Sequence, residues 1–534
     1  MSEPLRAADI LARRLHDEGC RHAFGMPGGE VLTLVDALER AGIAFTLAKH
    51  ENCAGFMGEG VHHVDGAPAI LVATVGPGAM NGVNVVANAA QDRVPLIVLT
   101  GCVDPDEAAT YTHQVLDHRA VFAPITKASF TLTPGAAGVI ADKAVAIATE
   151  GRAGPVHIDV PISVADAPGT AMEGRRAAPS PLIPADIVKA RRWLAEASRP
   201  LLIVGLDVLH EGSAAEIAAF ADSQGVPVIT TYKAKGVIPE DHPLSLGAAG
   251  LSPKADAILL PLLRQADLIL CAGYDPIEMR TGWRDPWDAA EQRVIDLHAA
   301  PNHHYMHQAS LSLLAHSGET LRRLGEDGVR ARWPDGGIRE AQRALAEAFP
   351  TDEPWGPAAI VDTCRAVLPK DAIATVDSGA HRILLSQMWR CFAPRTLLQS
   401  SGLCTMGCAV PLAMGAKLAS RERTVVSFSG DAGFLMVAGE LATAAELGLN
   451  TIFVVFVDRS LALIELKQRQ RQLPNAGVDF AGPDFAAIGR AFGGAGVTVS
   501  DRDGLRAALQ EAMEAETFTV IGAVIDRQAY DGRI

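Results

Sequence analysis

The sequence lacks the features that announce several common functions. It has no run of about 18 apolar residues, so no membrane-spanning helix is expected. Residues 1–19 are amphipathic with mixed charges and have no apolar core of secretory type. Basic residues are not in excess. The net charge is -15, which argues against a nucleic-acid partner, because neutralising phosphates requires Lys and Arg. No two of the eight cysteines, at 20, 53, 102, 271, 364, 391, 404 and 408, form a CxxC pair, so a zinc site is not expected. Scattered thiols in a long chain point to a reducing compartment, and the expected location is cytoplasmic. The first strand-to-helix turn carries no GxGxxG, which disfavours a nicotinamide dehydrogenase.

What is present is rhythm. The chain has 534 residues, and at roughly 100–200 residues per domain three domains are expected. Residues 1–170 contain the short apolar runs AILVATV (69–75), PLIVLTG (95–101) and VHIDV (156–160), separated by helical patterns. Strands buried on both faces read this way. A Pro- and Ala-rich stretch, 165–184, reads as a linker. Residues 185–330 repeat the alternation with PLLIVG (200–205), PVITT (227–231), LILCAG (268–273) and RVIDL (293–297). Residues 318–350, rich in Arg, Glu and Ala, read as one connecting helix. Residues 355–534 alternate again, with AIATVD (372–377), TVVSFSG (424–430), TIFVVFVD (451–458) and FTVIGAVID (518–526). The expected fold class is α/β: three consecutive open parallel-sheet domains, the middle one Rossmann-like.

The most specific motif is SFSGDAGF (427–434), a strand that ends at Gly430–Asp431–Ala432–Gly433 before a long helical stretch. The next strand ends at Asp458, 27 residues after Asp431. Ligands bind at the carboxyl ends of strands in open parallel sheets. Two carboxylates on neighbouring strand ends, with a backbone carbonyl, suit Mg²⁺ holding a diphosphate. The glycines allow close approach of phosphate oxygens. Taken alone, the motif is also compatible with a plain strand-to-helix turn.

This arrangement resembles the signature of the thiamine-diphosphate-dependent enzymes, GDG followed by a paired Asn. Ala432 replaces the second Gly and Asp458 the Asn. The resemblance covers nearly the whole chain. It implies Asp431, Asp458 and the carbonyl of Ser460 as metal ligands, with Gly430, Ala432, Gly433, Leu461, Ala462, Ile464, Gly379, Ala380 and His381 around the cofactor. In the first segment, Glu51 of HEN resembles the carboxylate that drives the aminopyrimidine to its imino tautomer, so that the ring can take the thiazolium C2 proton. FGMPGGEV (24–31) and TVGPGAMN (74–81) resemble the flanking family elements, which implies Pro27, Gly28, Thr74, Pro77 and Asn81 as cofactor neighbours. The neighbouring His62–His63 pair reads as surface.

Within the family the chain looks most like the acetolactate synthases. SGLCTMG (401–407) matches their Thr-Met-Gly element and implies Thr405 and Met406 under a bent cofactor. THQVLDHRAVFAPITKA (112–128) resembles the catabolic, flavin-independent type and implies Gln114 as an active-site polar residue. The middle segment lacks an Arg-Phe-Asp-Asp run, so FAD is not expected. The implied activity is decarboxylation of a 2-keto acid and ligation of the acyl carbanion to a second keto acid or aldehyde. Ile464 stands where simple decarboxylases carry a proton-donating Glu, which favours ligation. The resemblance further implies a homodimer as the minimal active unit and a homotetramer as the common state. Glu30 and Lys467 depart from the catabolic pattern, and Lys467 reads equally as a carboxylate ligand or a solvent-facing residue. A non-ligating decarboxylase, an acyl transferase and a non-catalytic homologue stay open as alternatives.

Overall fold

The computed structural model describes residues 5–171, 186–301, 304, 306–325 and 332–534. Most of the expected linker falls outside them.

The first sheet contains β1 (His22–Met26), β2 (Ala44–Leu47), β3 (Ala69–Ala73), β4 (Leu96–Cys102), β5 (Ala128–Thr131) and β6 (Val156–Pro161). Its order is β2-β1-β3-β4-β6-β5, and every pairing is parallel. The second contains β7 (Pro200–Val204), β8 (Val228–Thr230), β9 (Ser245–Ala248), β10 (Leu268–Ala272), β11 (Arg293–His298) and β12 (Leu311–Leu314). The third contains β13 (Ile373–Val376), β14 (Leu397–Gln399), β15 (Val425–Gly430), β16 (Ile452–Val457), β17 (Ala495–Val499) and β18 (Thr519–Val524). Its order, β14-β13-β15-β16-β18-β17, is the same permutation as the first sheet, again all parallel. The fold is three parallel-sheet α/β domains of six strands each.

The central strands form because their residues are apolar on both faces, and helices cover both faces of a parallel sheet. β3, β15 and β16 are buried almost throughout. In the first and third sheets the direction of strand addition reverses beside the first strand, between β1 and β3 and between β13 and β15. Such reversals leave a crevice at the strand ends where ligands bind. The middle sheet, β12-β11-β10-β7-β8-β9, reverses between β7 and β10. There backbone fills the crevice: a Cβ on Gly205 would lie 2.3 Å from the carbonyl oxygen of Gly273.

The first and third domains meet through two helices, Glu51–Asp65 and Ala409–Ala419. Their backbones touch where side chains are missing. A Cβ on Gly60 would lie 2.2 Å from the Leu412 oxygen, and one on Gly415 only 1.9 Å from the Met57 oxygen. The reading of His62 and His63 as surface is corrected. They are 3% and 7% exposed: the His62 ring lies 6.4 Å from that of His210 in the middle domain, and Arg395 donates to the His62 carbonyl. Burial holds both imidazoles well below their ordinary pKa. His63 Nε2 lies 3.2 Å from Glu59 Oε1, and His62 Nδ1 3.1 Å from the Ala67 oxygen.

Two further expectations are corrected. The supposed single connecting helix is two, Ser317–Leu324 and Gly337–Ala348. The first packs on the middle sheet through Leu321 and Leu324. The long helix expected after Asp431 is broken into Asp431–Val437, a single tight turn Ala438–Glu440, and Leu441–Glu446.

Candidate active site

The strand ends of β13, β15 and β16 open into one cavity of about 310 Å³. Asp431 begins its helix immediately after β15, and Asp458 follows β16. Parallel pairing sets Gly430 beside Phe456, so the two acids leave neighbouring strands at nearly the same level. Asp431 is 1% exposed. Its Oδ2 accepts from the Arg459 N–H at 2.7 Å and its Oδ1 from the Ala432 N–H at 2.8 Å. Asp458 Oδ1 accepts from the Ser460 N–H at 3.0 Å. Burial and the neighbouring Asp431 push the Asp458 carboxyl up to about 8. Burial also raises Asp431, against the N–H groups of Arg459 and Ala432. A bound cation would relieve both effects by neutralising the two charges.

The remaining third-domain candidates gather around this pair. Gly379, Ala380 and His381 line the wall that follows β13, and Met406 lines it from the 401–407 loop. Gly430, Ala432 and Gly433 form the turn, and Ser460, Leu461, Ala462 and Ile464 the opposite side. Thr405 lies outside the cavity, its Oγ1 accepting from Asn84 Nδ2 at 3.4 Å. The Gly433 turn is close-packed: a Cβ there would sit 1.9 Å from Asp377 Oδ2.

The cavity offers donors suited to an anionic group. His381 is buried, stacked on Phe456 with ring centroids 5.3 Å apart, and its Nε2 has no hydrogen-bond partner among the described residues. Burial and Arg382 push its pKa down to about 3. Tyr530 Oη is likewise buried without such a partner. Two orphaned polar groups beside paired carboxylates fit a metal-bound diphosphate. No group of three His, Cys, Asp or Glu side chains converges on a metal position among the described residues. A cation here would therefore draw further ligands from backbone oxygen and from the diphosphate.

Several of these residues escaped the sequence. Tyr530 lies in a polar C-terminal stretch with no motif around it. Asp377 follows β13, and its oxygens accept from the N–H groups of Gly407 at 2.9 Å and Cys408 at 3.1 Å, tying the 401–407 loop to the sheet. Arg280 reaches the cavity from the middle domain, its Nη2 3.9 Å from Cys404 Sγ. Lys467 is exposed at the rim.

The first-domain candidates form a second group at the ends of β1, β2 and β3. Glu51 is 4% exposed, and its Oε2 accepts from Asn81 Nδ2 at 3.0 Å. Gly78 passes so close that a Cβ would lie 3.1 Å from Glu51 Oε1. Thr74 donates to Glu30 Oε2 at 2.6 Å, and Gly28 leaves room for that pair, since its Cβ would meet Thr74 Oγ1 at 2.3 Å. Pro27, Pro77 and Gln114 are exposed beside them. None of these residues lines the third-domain cavity. Within one chain the expected site exists as two half-sites.

Three family models match in succession. The N-terminal TPP binding domain of thiamine pyrophosphate enzymes matches residues 5–121, the central domain 187–324 and the C-terminal TPP binding domain 377–523. The acetolactate synthase of Bacillus subtilis is 30% identical, covering 98% of this chain and 93% of that one. The chain belongs to the thiamine pyrophosphate enzyme family. A catabolic acetolactate synthase of Raoultella terrigena is 27% identical, covering 97% of this chain and 95% of the relative. A probable 2-ketoarginine decarboxylase of Pseudomonas aeruginosa is 31% identical, covering 97% and 93%. Among the described residues no helix is long and apolar enough to cross a membrane.

Proposed function

We propose that the protein decarboxylates a 2-keto acid and ligates the acyl fragment to a second keto acid or an aldehyde, as an acetolactate synthase does. The observation that carries this reading is the pair of Asp431, buried, and Asp458, half-buried, at adjacent strand ends of one cavity. Asp431, Asp458 and the Ser460 carbonyl would hold Mg²⁺, and His381 and Tyr530 would donate to the diphosphate. When bound, thiamine diphosphate supplies a nucleophilic carbon and an electron sink for the departing CO₂.

The chain's own groups divide the remaining work. Glu51, oriented by Asn81, would hold a proton at the pyrimidine ring of a cofactor bound by a second copy of the chain. Such a split site would make a homodimer the smallest active unit, and two dimers would form a homotetramer. Met406 would support the middle of the bound cofactor. Arg280, Arg382 and Lys467 line the cavity, and the acidic side chains lining it among the described residues are Asp431 and Asp458. That balance suits the carboxylate of a 2-keto acid. Ile464 offers no proton to the reacting carbon, so the acyl fragment is kept for a second carbonyl instead of leaving as an aldehyde. A second reading, aldehyde release by a simple decarboxylase, draws on the 2-ketoarginine decarboxylase relative. Incubating the protein with thiamine diphosphate, Mg²⁺ and pyruvate separates the two. Acetolactate is the expected product, and acetaldehyde alone would overturn ligation.

A further inference from the structure

Residues 102–117 carry Gln114, yet none of them is buried. The first buried residue after Gly101 is His118, at 0% exposure. It caps this loop, and its ring makes two directed contacts. His118 Nε2 accepts from the Gly76 N–H at 3.2 Å, and Nδ1 faces Asp159 Oδ1 at 2.9 Å. An amide N–H can only donate, so Nε2 must be bare and Nδ1 must carry the proton given to Asp159. Asp159, on β6, is held in turn by Thr100 Oγ1 of β4 at 2.6 Å. Burial would raise its pKa, but hydrogen bonds from His118 and His157 outweigh that and hold the carboxyl well below the ordinary range.

The far end of this chain of contacts is the Gly76 turn. Gly76 has φ +66°, a left-handed conformation that favours glycine. It opens the short helix Pro77–Asn81, from which Gly78 abuts Glu51 and Asn81 donates to it. Gln114, at φ +58°, lies against the same turn: a Cβ on Gly76 would come 3.2 Å from Gln114 Cβ.

We infer that His118 is a positioning residue, clamping the Gln114 loop onto the Gly76 turn and through that turn orienting the Glu51 carboxylate. The inference rests on the proposed roles of Glu51 and Gln114, although the clamp itself can be read without cofactor. His118→Gln places an amide where Nε2 stood and can still accept from Gly76. His118→Asn reaches only Asp159. In cofactor-free protein, hydrogen exchange of the peptide spanning Thr74–Asn81 is expected to rise about tenfold in H118N, the loss of about one hydrogen bond. In H118Q it should stay near the wild-type rate. With cofactor and pyruvate, H118N should lose about tenfold or more in kcat with KM nearly unchanged, and H118Q should recover most of it. Wild-type exchange at 74–81 in H118N, or equal kcat losses in both variants, would overturn the clamp. Nitrogen NMR of wild-type His118 needs no variant: a proton on Nδ1 supports the clamp, and one on Nε2 refutes it. If wild-type protein turns over no 2-keto acid, the proposed function fails, and the exchange comparison still decides the clamp.

Discussion

Asp458→Asn tests the electrostatics of the cavity in the metal-free protein. Burial and the neighbouring Asp431 raise the Asp458 carboxyl from 3.8 to about 8. One pKa unit corresponds to about 1.4 kcal/mol, so ionising Asp458 without a cation costs the fold at most about 6 kcal/mol. The shift is upward, so the stabilisation is complete below the unfolded value and is lost as pH climbs to the folded one. Metal-free wild type should therefore lose up to about 1.4 kcal/mol of stability per pH unit between about pH 4 and 8 through this site. The amide of Asp458→Asn cannot ionise and should lose that slope. Denaturation in the presence of chelator, across this pH range, compares the two proteins directly. The same linkage acts on metal binding: below about pH 8 a cation must displace the proton, so apparent affinity for Mg²⁺ with thiamine diphosphate should rise with pH more steeply in wild type than in the variant, by up to about tenfold per pH unit more. Parallel profiles for the two proteins would refute the assignment of the raised carboxyl to Asp458.

Other substitutions probe single elements. Glu51→Gln should reduce turnover by about 10²–10⁴-fold while calorimetry shows cofactor affinity nearly unchanged; normal turnover would remove Glu51 from the chemistry. Asp431→Ala should abolish Mg²⁺-dependent cofactor binding, and unchanged affinity would count against the metal site. Gly415→Ala puts a methyl group where the Met57 oxygen already lies 1.9 Å away, and should cost about 1–3 kcal/mol in thermal unfolding. Lys467→Ala should raise KM for a 2-keto acid about tenfold if its charge holds the carboxylate; an unchanged KM would make it a solvent-facing residue.

The fold was legible where strands are buried on both faces. β3, β16 and most of β4 read as continuous apolar runs because no polar face interrupts them. β5 and β17 carry no such run: they lie at sheet edges, half-exposed, and their composition resembles that of loops. His62 and His63 misled for the opposite reason. Polar side chains on a Gly-rich helix suggest surface, but these meet His210 of the middle domain and Arg395, which is 333 residues from His62 in sequence. Asp431 and Asp458 could be paired from sequence because both follow apolar strands and the chain reaches them in turn. Tyr530 and Arg280 could not, since each joins the cavity through long-range packing that leaves no local pattern; Asp377 follows an apolar strand too, but its tie to Gly407 and Cys408, 30 and 31 residues away, is tertiary. His118 lay inside a quoted motif, yet its partners Gly76 and Asp159 are 42 and 41 residues away.

The decisive measurement mixes two inactive proteins. Glu51→Gln and Asp431→Ala variants are refolded or exchanged together, and mixed assemblies are confirmed by native mass spectrometry. If the carboxylate of one copy serves the cation pair of another, each mixed dimer contains one undamaged site, and an equal mixture regains about a quarter of wild-type activity. Mixed assemblies that stay inactive would show that residues 51 and 431 do not serve a common cofactor across two chains.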